Sequence, residues 1–249
     1  MILNREKETD NVIIFLHIPK TAGCTLHSII NKQYGNKYDI KTPFWWSAPE
    51  DTNSLLKYLH EIGIEKIEVL TGHIIFGIHK HIPQKKYTYI TFLRNPVERV
   101  ISAYYYMRDC DKDNLHHIVK NMSLYEFVTD EFFNHQTLNM QTHLISGIKD
   151  GNLKIAKDNL KKYFSVVGIT ERFSESLFII EKKYGWKIDK YQNQNITKNK
   201  PPLNKISNEI IEIIENKNQK DIKLYKFANK LLSKQIEISG FYSKAKDIK

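Results

Sequence analysis

The chain of 249 residues predicts an α/β fold, a single domain with a central parallel sheet flanked by helices. Three observations carry that expectation. Strand-length apolar runs alternate with segments of helical periodicity, the pattern of strands joined by helical crossovers. The first run, Val12 to Leu16, is continuously apolar and rich in β-branched residues, as a strand covered on both faces is. The runs ending at Leu16 and Leu93 each pass through a short polar loop into a helix. The domain is expected over residues 11–240, between charged tails at 1–10 and 241–249, and is long enough to bury a sizeable core.

The first strand is Val12 to Leu16, and the loop after it reads His17-Ile18-Pro19-Lys20-Thr21-Ala22-Gly23-Cys24-Thr25. A helix follows, with Leu26, Ile29, Ile30 and Tyr34 at helical spacing and Gly35 as its stop. A helix that opens just past a strand presents unpaired backbone N–H groups and the positive end of its dipole, which suit an anion. Lys20 adds a mobile full charge. No Walker A pattern is present, because the lysine comes before the small residues instead of after them. The plain alternative is an ordinary strand-to-helix connection. Cys24 lies in this loop, where a helix N-terminus lowers a thiol pKa, or it is a small residue that fits.

Residues 36–51 hold Pro43-Phe44-Trp45-Trp46-Ser47-Ala48-Pro49, bracketed by prolines and expected to be irregular. Trp45 and Trp46 suit stacking on a sugar or an adenine, and equally a place in the core. Residues 52–62 read as a helix, and 67–71 as a short strand leading to Gly72-His73. His73 follows a strand in the same sense as the lysine loop, so its side chain is expected at the carboxyl edge of the sheet, where open α/β folds keep ligands. An imidazole there is a candidate base for an alcohol, against the ordinary structural reading of a lone histidine. With His79 and His81 it also spells H-x5-H-x-H, a spacing open to zinc, though no cysteine or acidic ligand accompanies it.

Tyr87 to Leu93 is the next strand. Asn95-Pro96-Val97-Glu98 then has the marks of a helix start: an N-cap asparagine, proline at the first helical position, and glutamate three after the cap. Arg94 stands at the strand's carboxyl end and Ser102 about two helical turns on. Guanidinium and hydroxyl together suit a phosphate monoester, and the competing reading is a structural pair between Arg94 and a carboxylate. Beyond Tyr106, residues 108–121 read as a polar loop or lid. Ser123 to Glu126 is a capping box opening a short helix. Helices are expected at 137–146 and 153–163, the first carrying Gln141 and His143, for which core or surface roles weigh more than acceptor contact. Phe164 to Ile169 is the last strand, followed by a helix from Thr170. The loop 190–203 is polar. Two amphipathic helices, 207–216 and 219–236, close the fold with Ile210, Ile214, Leu224, Phe227 and Leu231 as the expected buried stripe.

Taken together, His17-Ile18-Pro19-Lys20-Thr21-Ala22-Gly23 and Leu93-Arg94-Asn95-Pro96-Val97-Glu98-Arg99 with Ser102-Ala103-Tyr104 resemble the 5′-phosphosulfate and 3′-phosphate motifs of sulfotransferases. The likeness is greatest to the carbohydrate branch that includes heparan sulfate 2-O-sulfotransferase. Gly72-His73, Val166 to Phe173 and Asp221 to Tyr225 extend it over most of the chain. The resemblance implies a P-loop-like nucleotide-binding fold and transfer of a sulfuryl group from 3′-phosphoadenosine 5′-phosphosulfate (PAPS) to a carbohydrate hydroxyl, leaving the 3′,5′-bisphosphate PAP. It assigns the 5′-phosphosulfate to Lys20 and the backbone of Thr21, Ala22, Gly23, Cys24 and Thr25, and the 3′-phosphate to Arg94 and Ser102. It makes His73 the base and Lys20 the stabiliser of charge on the bridging oxygen, brings Lys198 and Lys200 over the nucleotide, gives Glu171 a supporting place, and calls for no metal.

Composition bounds the rest. Two cysteines are too few for a disulfide framework and favour a reducing compartment. The N-terminus lacks an apolar core of signal-peptide length and no run approaches a membrane span, so a cytoplasmic protein is expected. The net charge of +10 is uneven: in residues 182–249, sixteen lysines against seven acidic residues leave +9. Such an end suits an acidic polysaccharide or an anionic lipid surface, or is simply a solvated helical face; nucleic acid ranks low because no nucleic-acid-binding signature accompanies it. Two other readings stand beside the sulfotransferase one. They are a kinase-like nucleotide enzyme, for which a magnesium-holding acidic motif is lacking, and a polyanion- or glycan-binding protein with a degenerate nucleotide site. The sequence leaves the oligomeric state open.

Overall fold

Val12, Ile14, Phe15 and Leu16 are wholly buried, because strand β1 (Asn11–Leu16) runs through the middle of a parallel sheet with side chains packed on both faces. In the computed structural model, residues 11–35, 39–41, 68–81, 86–188 and 199–240 are described, with residues 57, 61 and 63 besides. Trp45, Trp46, Lys198 and most of the helix expected at 52–62 lie outside them.

The other strands are β2 (Asp39–Lys41), β3 (Val69–Gly72), β4 (Lys86–Leu93) and β5 (Phe164–Ile169), in spatial order β2-β3-β1-β4-β5. Every pairing is parallel. The register sets Leu16 opposite Gly72 and Leu93 opposite Ile169, so the loops that follow emerge along one rim. The strand order reverses at β1: the chain goes to β2 and β3 on one side, then crosses to β4 on the other. The crevice of such a sheet opens at that switch point, between the ends of β1 and β4.

Ten helices are described: α1 (Gly23–Tyr34), α2 (Pro96–Asp109), α3 (His116–Val119), α4 (Leu124–Thr129), α5 (Asn134–Thr137), α6 (Met140–Ser146), α7 (Leu153–Lys162), α8 (Phe173–Tyr184), α9 (Asn208–Lys217) and α10 (Gln219–Ser239). The main core surrounds the sheet. A second cluster joins Val100, Tyr104, Phe127, Phe133 and Ile214, and so holds α2 to α4 and α9. Ser123 and Glu126 form the expected capping box at α4.

Four expectations change. Within 36–51, expected to be irregular, Asp39–Lys41 form strand β2, held by its parallel pairing with β3. The segment 108–121 contains α3 and is tied down by His116, whose Nδ1 lies 3.2 Å from the Met107 carbonyl. The helix expected at 137–146 is broken at Asn139, which is left-handed (φ 45°). The buried stripe of α10 runs through Asp221, Leu224, Ala228, Leu232 and Ile236; Phe227 and Leu231 pack only at its margin. Hydrophobicity alone mis-set that face, because it does not anticipate a buried aspartate.

Candidate active site

The loop after β1 begins by extending the sheet: the His17 N–H donates to the Gly72 carbonyl at 2.9 Å. The backbone then turns sharply, with Lys20 (φ 67°) and Ala22 (φ 64°) both left-handed, a region side chains resist. Buried Thr21 braces the turn by donating its hydroxyl to the Ile18 carbonyl at 2.8 Å. Helix α1 follows with Ala22 as N-cap, a residue whose side chain cannot cap the helix, an arrangement suited to an external anion. Within this run the Thr25 N–H donates to the Ala22 carbonyl (3.1 Å), so that amide belongs to the helix.

Gly23 is required by packing, since a Cβ there would sit 1.9 Å from His17 Nε2. The His17 ring stacks on Phe15 at 5.4 Å and on His73 at 4.3 Å between centroids. Burial, then the neighbouring His73 charge, hold His17 well below the usual imidazole range, so it is neutral. His73 Nδ1 lies 3.0 Å from the His17 carbonyl oxygen. A carbonyl only accepts, so in the neutral ring the proton sits on Nδ1 and Nε2 is the basic nitrogen. Burial also lowers the His73 pKa, opposed by this hydrogen bond.

The Lys20 ammonium lies 3.8 Å from the centroid of the Tyr106 ring, a cation–π contact. Burial brings its pKa down to about 8, and the Arg94 charge pushes the same way against Cys24 and Cys110. Arg94 reaches this loop directly: Nη1 donates to the Lys20 carbonyl at 3.1 Å, while Nη2 donates to Glu98 Oε2 at 3.2 Å. Lys200 Nζ meets the same Glu98 oxygen, and Asn199 Nδ2 donates to Asp109 at 3.0 Å, so this loop lies along α2. Ser102 is buried on α2, 3% exposed.

The start of α2 carries the expected asparagine cap and proline, but the glutamate three after the cap turns elsewhere. Asn95 Oδ1 accepts from the N–H groups of Val97 (3.0 Å) and Glu98 (3.2 Å), as expected of an N-cap. Glu98 does not reach back to the cap; Glu171 takes that place, accepting the Asn95 N–H at 3.0 Å and the Tyr225 hydroxyl at 3.1 Å. The structural Arg–carboxylate pair weighed for Arg94 is therefore present, and it is shared with Lys200.

His79 stands apart from this group, with Nδ1 2.9 Å from the Tyr89 hydroxyl and its ring stacked on Tyr87. Among the described residues no three His, Cys, Asp or Glu side chains converge as metal ligands. Arg99, within the same sequence motif as Arg94, is fully buried and faces Met140, the Gln136 carbonyl and Asp221, not the rim.

Sequence reasoning gave His17, Tyr106 and Glu98 no role in this site, and weighed Gln141 only for acceptor contact, against core or surface roles. Tyr106 follows Ser102 by four residues, one helical turn, and was open to discovery on that spacing. The others carried no local signal.

A parallel α/β sheet with a lysine turn and an arginine strand end meeting at its switch point defines a domain of P-loop-like architecture. The chain belongs to the sulfotransferase family, which it matches over residues 7–228. It is similar to a protein-tyrosine sulfotransferase of Arabidopsis thaliana, 27% identical over 104 residues. That stretch is 41% of this chain and 19% of the relative. Among the described residues no helix is long and apolar enough to cross a membrane.

Proposed function

We propose that this protein transfers a sulfuryl group from PAPS to a carbohydrate hydroxyl. The observation that carries the reading is the bond from Arg94 Nη1 to the Lys20 carbonyl, which brings the two basic loops to one rim, as a nucleotide charged at both its 3′ and 5′ positions requires. The residues suit such a donor: a helix start whose N-cap is an alanine, a half-buried lysine, and a guanidinium already accustomed to a carboxylate.

The donor, when bound, supplies the sulfuryl group. Lys20, with backbone N–H groups of Thr21 to Cys24 and the side chain of Thr25, holds the 5′ end, and its charge stabilises the bridging oxygen as the bond breaks. Arg94 and Ser102 hold the 3′-phosphate, with Arg94 exchanging Glu98 for it. Lys200 stays on Glu98 or joins the phosphate, and Lys198, outside the described residues, is assigned to the nucleotide by the resemblance alone. His73, neutral with its proton on Nδ1, takes the acceptor's proton on Nε2. Positioning and electrostatics supply most of the rate, as in other in-line transfers between oxygens.

The Gly72-His73 base and the protein's basic balance favour a carbohydrate acceptor. The relative that acts on protein tyrosine supports a second reading, a phenolic acceptor. Incubation with radiolabelled donor, offering glycans in one arm and tyrosine peptides in another, separates them by where the label lands. Bound nucleotide without label on any acceptor would leave the non-catalytic reading.

A further inference from the structure

We propose that Gln141 is a positioning residue for Arg94, and that Asp221 holds Gln141 in place. The inference rests on the assignment of Arg94 to the donor's 3′-phosphate.

Arg94 is the first residue past β4, where no neighbouring strand remains to take its backbone groups. Gln141 supplies what the sheet no longer does. Its Oε1 accepts the Arg94 N–H at 3.0 Å and its Nε2 donates to the Arg94 carbonyl at 2.9 Å. A side-chain amide thus stands in for the peptide of an absent strand and fixes both ends of one residue. The residues on either side are pinned by other elements: Thr170 Oγ1 donates to the Leu93 carbonyl at 3.1 Å and Glu171 accepts the Asn95 N–H. Among these contacts Gln141 alone grips the residue whose guanidinium spans to Lys20.

Gln141 is itself fully buried and held from its own backbone. Its N–H donates to Asp221 Oδ2 at 3.0 Å, and Thr142 donates both its N–H and its hydroxyl to Asp221 Oδ1, each at 2.7 Å. Asp221 therefore caps α6 from another helix. The arrangement is reciprocal, for Asn139, just ahead of α6, accepts the N–H groups of Lys220 (2.9 Å) and Asp221 (3.2 Å) at the start of α10. Two helix starts, about eighty residues apart in sequence, cap each other and set the height of Gln141 against the strand end. A glutamine filling space in a core needs neither two bonds to the backbone of one residue nor a buried carboxylate behind it.

The test compares binding of adenosine 3′,5′-bisphosphate and adenosine 5′-phosphate by calorimetry in the full-length protein, with thermal unfolding followed in parallel. The wild type is expected to prefer the bisphosphate. Gln141→Leu is expected to reduce that preference roughly tenfold, the scale of one hydrogen bond to a charged group, while binding of adenosine 5′-phosphate holds. On an Arg94→Ala background the same substitution is expected to change neither affinity. Asp221→Asn, nearly isosteric, is expected to move the preference in the same direction, and serves alone if Gln141→Leu does not fold. A folded variant that keeps the wild-type preference, or loses both nucleotides equally, overturns the positioning role. A wild type without any preference overturns the donor assignment and this inference with it, and is distinguished by needing no variant.

Discussion

The rings of His17 and His73 lie stacked with centroids 4.3 Å apart, and the carbonyl of one faces Nδ1 of the other at 3.0 Å. The candidate base therefore owes its tautomer and its orientation to a residue on the neighbouring strand end, and that residue is wedged against Gly23. From this follows the first expectation. Gly23→Ala places a methyl where the His17 ring stands, so the ring must move and take His73 with it. Turnover is expected to fall on the order of a hundredfold, the cost of an ångström-scale misplacement. Steady-state rates beside a melting curve check it; unchanged turnover in a folded variant contradicts the coupling.

His73→Ala is expected to bind nucleotide normally and to lose transfer by roughly two to four orders of magnitude, the range for a positioned general base. In the wild type the unprotonated ring is the active form and burial lowers its pKa. Activity should therefore be retained through neutrality and fall with decreasing pH only below the ordinary imidazole value. A pH–rate profile on kcat/KM decides; an acid limb above that value removes His73 from the role.

Lys20 gives the opposite limb. With its pKa near 8 in the free protein, it is charged below that pH and loses its charge above. Donor affinity should weaken as pH rises through about 8, with proton uptake on binding there because a bound anion favours the ammonium. Calorimetry in buffers of differing ionisation enthalpy reads both. Lys20→Ala should abolish the dependence and slow turnover by roughly a hundredfold to a thousandfold.

Arg99→Ala tests the buried support and not the chemistry. It removes a wholly buried guanidinium that bonds the Gln136 carbonyl and Met140, and whose charge favours the ionised form of Asp221. A loss of about 2–5 kcal/mol is expected, the scale for truncating a large buried side chain. Urea unfolding measures it; a shift of only a few tenths would mean that Arg99 supports little of the core around it.

Much of this molecule was open to reading from the chain alone. Val12 to Leu16 announces a buried strand because a segment covered on both faces is driven to be apolar, and Tyr87 to Leu93 does so with only Thr88 and Thr91 interrupting it. Asn95 and Ser123 announce helix starts, because their side chains bond amides only two or three residues away. Lys20, Arg94 and His73 could be singled out since each stands just past a strand, and parallel strands deliver all such residues to one rim.

What the sequence by itself determined, then, was whatever depends on neighbours in the chain: strands, caps, the lysine turn, and the family to which they belong. The tertiary structure alone decided the pairings across long separations. Glu171 took the Asn95 cap, Glu98 met Lys200, Asp221 turned inward on α10, and Gln141 found Arg94. The physical reason is that a polar side chain carries no periodic mark of its partner. Its bond is chosen only once packing has brought the two together and shut water out, and no spacing along the chain records that choice.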